Sequence, residues 1–295
     1  MTPDNLDHPF RKLKVRNLFL QGLLISFILG IALGFGMAAS GVTLNNQVIP
    51  LILYILIFGL LCLWILADFN RLRINFWYVV GNVPTNFKWW PIIGLVLLLI
   101  LFSLSAYLVS FSLLSWVAPG FVQELLRQVA NNPYPESSAP LLNNILAAIA
   151  TVVVAPIAEE FIFRGVILQR WAAKWGIRTA LITSSLLFGV LHANIVGLSM
   201  FGIIMGVLYI KTRTLIVPIV CHAVNNLIAV SMGFFASESP TTSVVNDLEQ
   251  LRSSWWIGVV LMLISLPLLI RFLSRNWPRK NAPIPYLVNA SPADM

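Results

Sequence analysis

The sequence predicts an all-α fold: a polytopic membrane helix bundle of about eight transmembrane helices with both termini cytoplasmic. Three observations predict it. Apolar residues make up 58% of the 295 residues and charged residues only 10%, against roughly 25% charged in soluble domains. The apolar residues are gathered into runs close to the ~20 residues a bilayer crossing needs. All but two of the 19 basic residues, Arg127 and Arg252, fall in segments that an eight-span topology places on one side, as the positive-inside rule requires. Lipid offers the backbone no hydrogen-bond partner, so the runs must be helices.

The segments follow in order. Residues 1–17 are polar and basic, with Arg11, Lys12, Lys14 and Arg16, and form a cytoplasmic lead-in to a single membrane domain over 18–275. The first run, 18–39, is too long for the apolar core of a cleaved signal peptide and reads as a retained anchor. Gly22, Ser26, Gly30 and Gly34 put small residues on one face of it, which suits close helix contact. Further runs cover 50–67, 91–114, 141–169, 178–194, 195–210, 215–235 and 255–273. Two of these are short or barely separated, with a tight turn expected at His192-Ala193-Asn194. Gly202 and Gly206 form another small-residue pair. Residues 119–132 carry Phe121, Val122, Leu125, Leu126 and Val129 on one face and read as an amphipathic helix on the outer surface. The segment 276–295, rich in Pro and Asn, reads as a disordered cytoplasmic tail.

Composition also excludes. A net charge of +8 sets topology here, and nucleic acid is not an expected partner. Cys62 and Cys221 both lie inside apolar runs, so there is no disulfide framework and no CxxC zinc motif. No soluble domain fits between the runs. Short loops and compact size suit a prokaryotic plasma membrane. The oligomeric state is not set by sequence.

A few polar residues interrupt the apolar runs: Glu159, Glu160, Arg164, His192, His222, Asn225 and Asn226. An ionisable group in the bilayer costs ~2.5–3.5 kcal/mol even on lenient scales and marks function by default. Glu160 and Arg164 are four apart and share a helix face, as an ion pair would. Glu159 points about 100° away. His222 and Asn226 also share a face, and Phe188 can pack beside His192. At ~1.5 Å per residue, Glu160 is about 15 Å from Arg170, His192 about 21 Å from Arg178 and His222 about 14 Å from Arg213. Three helices thus deliver polar groups to one level, near the midplane and nearer the cytoplasmic side. A carboxylate and an imidazole can polarise water. A second imidazole and a carboxamide can stabilise an oxyanion. The set suffices for amide hydrolysis. Glu159, His192 and His222 could equally ligate a divalent metal such as zinc, and the sequence leaves the two open.

Here the sequence resembles a known family. Glu159-Glu160 followed by Arg164 looks like the EExxxR motif of the CPBP (CAAX protease and bacteriocin-processing) family of intramembrane endopeptidases. Phe188 to His192 resembles its FxxxH motif, and His222 to Asn226 its HxxxN motif. All three occur in the family's order over about 141–235. The resemblance implies a general base at Glu159 working with His192, an oxyanion site at His222 and Asn226, and support from Glu160, Arg164 and Phe188. It implies a peptide or lipidated protein substrate, cleaved near the cytoplasmic side by CAAX-type or peptide/bacteriocin processing. The alternative is a non-catalytic membrane protein, a proton- or ion-coupled transporter or an immunity factor, built on the same polar cluster.

Overall fold

A computed structural model describes residues 9–40, 48–130, 140–238 and 248–291. The described residues are almost wholly helical and contain no strand. A 3-10 turn at Pro9–Lys12 leads into α1 (Val15–Ser40) and α2 (Val48–Leu72), a hairpin on the bundle's flank. The short α3 (Phe76–Val80) precedes α4 (Trp90–Val117), and α5 (Pro119–Ala130) follows it. One long helical segment then runs from Pro140 to Trp175. It is divided into α6 (Pro140–Ala148), α7 (Ala155–Glu160) and α8 (Gln169–Trp175) by two π-helical stretches. The chain continues through α9 (Ile177–Val190), α10 (Ile195–Thr212), α11 (Ile216–Glu238), α12 (Leu248–Ser253), α13 (Trp255–Asn276) and α14 (Pro285–Asn289).

Six helical segments are long and apolar enough to cross a membrane: Val15–Ala39, Val48–Leu72, Trp90–Val117, Leu141–Trp175, Ile195–Thr212 and Trp255–Asn276. Two shorter apolar helices, Ile177–Val190 and Ile216–Met232, occupy the other two predicted runs. The turn expected at His192 falls between α9 and α10. It is fixed by Asn194, whose side chain caps Gly197 N at 3.1 Å and donates to the Ser103 carbonyl at 2.7 Å. The hairpin is tight. A Cβ on Gly189 would collide with Ser199 and with the Ile195 carbonyl, and one on Gly202 would meet Ser185 at 3.0 Å.

The basic segments gather at one end of the bundle. Arg170 donates to the Leu13 carbonyl at 2.6 Å, Arg178 to the Pro278 carbonyl at 2.9 Å, and Lys211 to Asn276 at 2.6 Å. Tyr209 bridges Gln169 and the Val79 carbonyl. Arg252 lies at the opposite end, donating to Ser115, beside a small cluster formed by Leu108, Phe111, Val122, Leu126 and Leu251. The amphipathic α5 packs there through Val122 and Leu126, while Phe121 is exposed. The side chain of Val129 lies outside the described residues.

Two expectations are corrected. The segment 276–295 is not a disordered tail over its described part. Pro285 opens a short helix, a position where its missing N–H costs nothing. Tyr286 is buried against Phe10 and Tyr78, at 5.2 and 5.9 Å between ring centres. Asn289 donates to the carbonyls of Tyr78 and Arg213 at 2.9 and 2.8 Å. Composition missed this because one aromatic ring and one carboxamide supply the anchorage. The small-residue stripe on α1 also fails as a contact face. Of its glycines, a Cβ on Gly22 would touch Leu61 of α2 at 3.9 Å, whereas one on Gly30 or Gly34 would meet nothing within 4 Å.

Candidate active site

The site is built around a proline. Pro156 has no N–H to donate, and its ring crowds the carbonyl one turn back. The helix accommodates it with a wide π-helical stretch over Ile149–Val154, closed by the Ala155 N–H on the Ala150 carbonyl. A second π-helical stretch covers Phe161–Leu168. Such stretches are rare and concentrate at functional sites. The short α7 between them carries both carboxylates.

Glu160 is fully buried and its Oε1 accepts two hydrogen bonds, from Arg164 Nη1 at 2.9 Å and from His222 Nδ1 at 2.9 Å. Arg164 also donates to the Gly202 carbonyl at 3.0 Å and lies over the Phe188 ring at 4.9 Å. This guanidinium is therefore held on three sides. The Glu160–Arg164 pairing matches the spacing expectation. The link to His222 joins α7 to α11, a contact that spacing alone could not reveal.

Glu159 faces the other way, into a cavity of about 450 Å³. Its Oε1 accepts from the Tyr54 hydroxyl at 3.0 Å. Its Oε2 lies 3.9 Å from His192 Nε2 and 4.0 Å from His222 Nε2. His192 Nδ1 is 2.6 Å from the Phe188 carbonyl. A carbonyl only accepts, so Nδ1 carries the proton and neutral His192 presents a lone pair at Nε2. Phe188 packs against this imidazole at 4.4 Å and Phe201 against that of His222 at 4.9 Å. Asn226 donates to the Thr151 carbonyl at 2.8 Å and accepts from Asn225 at 3.2 Å, which fixes its amide orientation.

All four residues expected to be catalytic, Glu159, His192, His222 and Asn226, line this one cavity, with Tyr54, Thr151, Pro50, Leu51, Ala150, Ala155 and Leu198. Of the supporting residues, Glu160 and Arg164 lie buried behind it, and Phe188 braces both Arg164 and His192. Sequence reasoning missed Tyr54. A tyrosine in a Leu/Ile-rich run is ordinary in a membrane helix, and nothing local ties it to Glu159. The metal-ligating reading of Glu159, His192 and His222 is not supported. Among the described residues no group of three His, Cys, Asp or Glu side chains could hold a metal ion. Two ligands on tetrahedral zinc stand about 3.4 Å apart, given bonds of ~2.0–2.1 Å, whereas Glu159 Oε2 stands 3.9 Å from His192 Nε2 and 4.0 Å from His222 Nε2.

Comparison with known proteins finds likenesses over the stretch that carries these residues. Residues 141–228 match the family model described as type II CAAX prenyl endopeptidase Rce1-like. The protein named "Putative membrane peptidase YdiL" from Bacillus subtilis (strain 168) is 34% identical over 90 residues, which is 30% of this chain and 37% of that one. The chain thus covers little more than a third of that relative's length. No solved structure matches. Over residues 141–228, the stretch that carries Glu159, His192 and His222, this integral, multi-pass membrane protein is similar to the type II CAAX prenyl endopeptidase Rce1-like family.

Proposed function

We propose that the protein is an intramembrane endopeptidase that hydrolyses a peptide bond with a glutamate-activated water. The observation that carries this reading is the spacing of Glu159 Oε2 and His192 Nε2, 3.9 Å apart. Both atoms are acceptors, and one water can donate a hydrogen to each. Its lone pair is then directed away from both, toward a carbonyl carbon held in the cavity. Glu159 takes a proton as the water oxygen bonds to that carbon. The C–N bond then breaks, and the proton passes to the departing amine. His222, held at Nδ1 by Glu160, turns Nε2 toward the developing oxyanion beside the second N–H of Asn226. Tyr54 occupies the other Glu159 oxygen and leaves Oε2 for the water.

The same reading keeps both termini cytoplasmic, because the basic segments share one end. A transporter would need a route from the cluster to both faces, and every residue from Glu160 to Gln169 is buried toward the basic end. The test compares wild type, Glu159→Ala and His192→Ala in detergent, matched for thermal stability, on a pool of membrane-derived peptides and a prenylated CAAX peptide. Cleavage by wild type alone supports the peptidase. No cleavage by any of three equally folded proteins sinks it.

A further inference from the structure

A second cavity, of about 310 Å³, lies between α4 and α11. Ile100, Ser103, Leu104 and Tyr107 line it from α4, at the i, i+3, i+4 and i+7 positions of one helix face. Asn225, Ala229 and Met232 line it from α11, and Asn194, the cap of α10, completes it. This cavity adjoins the catalytic one. Asn225 lines the second and Asn226 the first, and Asn225 Nδ2 donates to Asn226 Oδ1 at 3.2 Å. His192 lines the first, and Asn194, two residues on, the second.

Its polar groups are set apart by what they lack. Elsewhere in α4 each serine donates to a carbonyl: Ser105, Ser110 and Ser115 within their own helix, and Ser112 to Leu251. Ser103 Oγ accepts from Asn194 Nδ2 at 2.9 Å, but among the described residues its own hydrogen has no acceptor. The Tyr107 hydroxyl, on a ring packed 4.6 Å from that of Phe111, has no hydrogen-bond partner among them, and neither has Asn225 Oδ1. Two donors and one acceptor thus stand unused in an apolar span.

A polar group in such surroundings costs free energy unless it is hydrogen-bonded. An acyl chain brings no partner for it. An intact helix brings none from its backbone, whose groups are paired within the helix. An extended polypeptide brings an unpaired N–H and C=O at almost every residue. The α4 face from Ile100 to Tyr107 is about 10 Å long at ~1.5 Å per residue, which matches roughly three extended residues at ~3.3 Å each.

From these unused groups beside the catalytic cavity we infer that the second cavity binds the substrate polypeptide next to its scissile bond, as a short, extended, mainly apolar stretch. The inference rests on the peptidase reading for the identity of that polypeptide. Ser103 and Tyr107 donate to main-chain carbonyls, Asn225 Oδ1 accepts a main-chain N–H, and Ile100, Leu104 and Met232 meet apolar side chains.

Two measurements on the full-length protein in detergent test this, with variants matched for thermal stability. In the first, Ala229→Cys in a Cys62→Ala/Cys221→Ala background is alkylated with a maleimide, alone, with a cysteine-free pool of membrane-derived peptides, or with oleate as an acyl-chain probe. In the second, a peptide of that pool cleaved by wild type is assayed with Tyr107→Phe and Ala229→Phe. The expected result is alkylation slowed by the peptides and not by oleate. KM should rise about 2- to 10-fold for Tyr107→Phe, the effect of one neutral hydrogen bond, and further for Ala229→Phe, with kcat kept. Alkylation unaffected by the peptides, or slowed as much by oleate, overturns the inference. So does an unchanged KM in both variants, or a loss confined to kcat. Protection by the peptides without cleavage of any of them by wild type supports the binding site and sinks the peptidase reading instead.

Discussion

The hydroxyl of Tyr54 on α2 donates a 3.0 Å hydrogen bond to Oε1 of Glu159 on α7. This bond ties the flanking α1–α2 hairpin to the cavity, and in the proposed mechanism it separates the two oxygens of one carboxylate into an anchored and a working atom. A hydrogen bond to a charged group contributes about 1.5–3 kcal/mol. Tyr54→Phe should therefore lower kcat by about 10- to 100-fold with little change in KM, because the bond positions the base and does not hold substrate. Steady-state kinetics on any cleaved peptide checks this. An unchanged kcat would remove Tyr54 from the mechanism.

Glu160 stands between Arg164 and His222, and all three are buried. Glu160→Gln keeps the shape but removes the carboxylate that is hydrogen-bonded to the guanidinium. Breaking a buried pair from one side costs about 3–5 kcal/mol. Thermal unfolding in detergent should fall clearly for Glu160→Gln. The double change Glu160→Gln/Arg164→Met should recover part of that loss and still be inactive, since His222 has lost its anchor. Full activity in the double variant would contradict the role given to Glu160.

Asn226 is oriented from both sides, by the Thr151 carbonyl and by Asn225. Loss of one oxyanion donor costs about 10²–10³ in kcat, so Asn226→Ala should show a fall of that size with unfolding temperature nearly unchanged. Asn225→Ala frees the amide to flip without deleting it and should give a smaller fall. Equal losses in the two variants would place the key donor at Asn225.

Tyr286 fills a gap lined by Phe10 and Tyr78 and accepts from the Asn75 N–H at 3.2 Å. Removing a buried aromatic ring costs about 3–5 kcal/mol. Tyr286→Ala should make the C-terminal segment a ready site for limited proteolysis in detergent. Protection equal to wild type would show that the segment is held by Asn289 alone.

Gly189 lets α9 and α10 approach within backbone contact. Gly189→Ala must push Ser199 and the Ile195 carbonyl away, and backbone cannot yield as a flexible side chain can. The variant should lose both thermal stability and activity, because the hairpin tip carries His192. Gly30→Ala, with open space around it, should be silent in both measurements.

Much of this was legible in the residues themselves. The eight apolar runs predicted the helices because lipid leaves the backbone no other way to satisfy its polar groups. Glu160 and Arg164 were readable as a pair because helical spacing is local. The EExxxR, FxxxH and HxxxN motifs pointed to the four cavity residues because each motif lies within one or two helical turns. The tail was misread because Tyr286 and Asn289 gain their hold from partners far away in sequence. The α1 stripe was misread because small residues permit contact without supplying a partner.

By itself the sequence determined a helical membrane bundle, its basic end and the chemical inventory of its site, all set by hydrophobicity, charge and spacing along one chain. Only the tertiary structure decided which Glu159 oxygen is free, that Tyr54 holds the other, and that Glu160 also grips His222. Those properties depend on distances between helices brought together by packing, and no periodicity within a single helix encodes them.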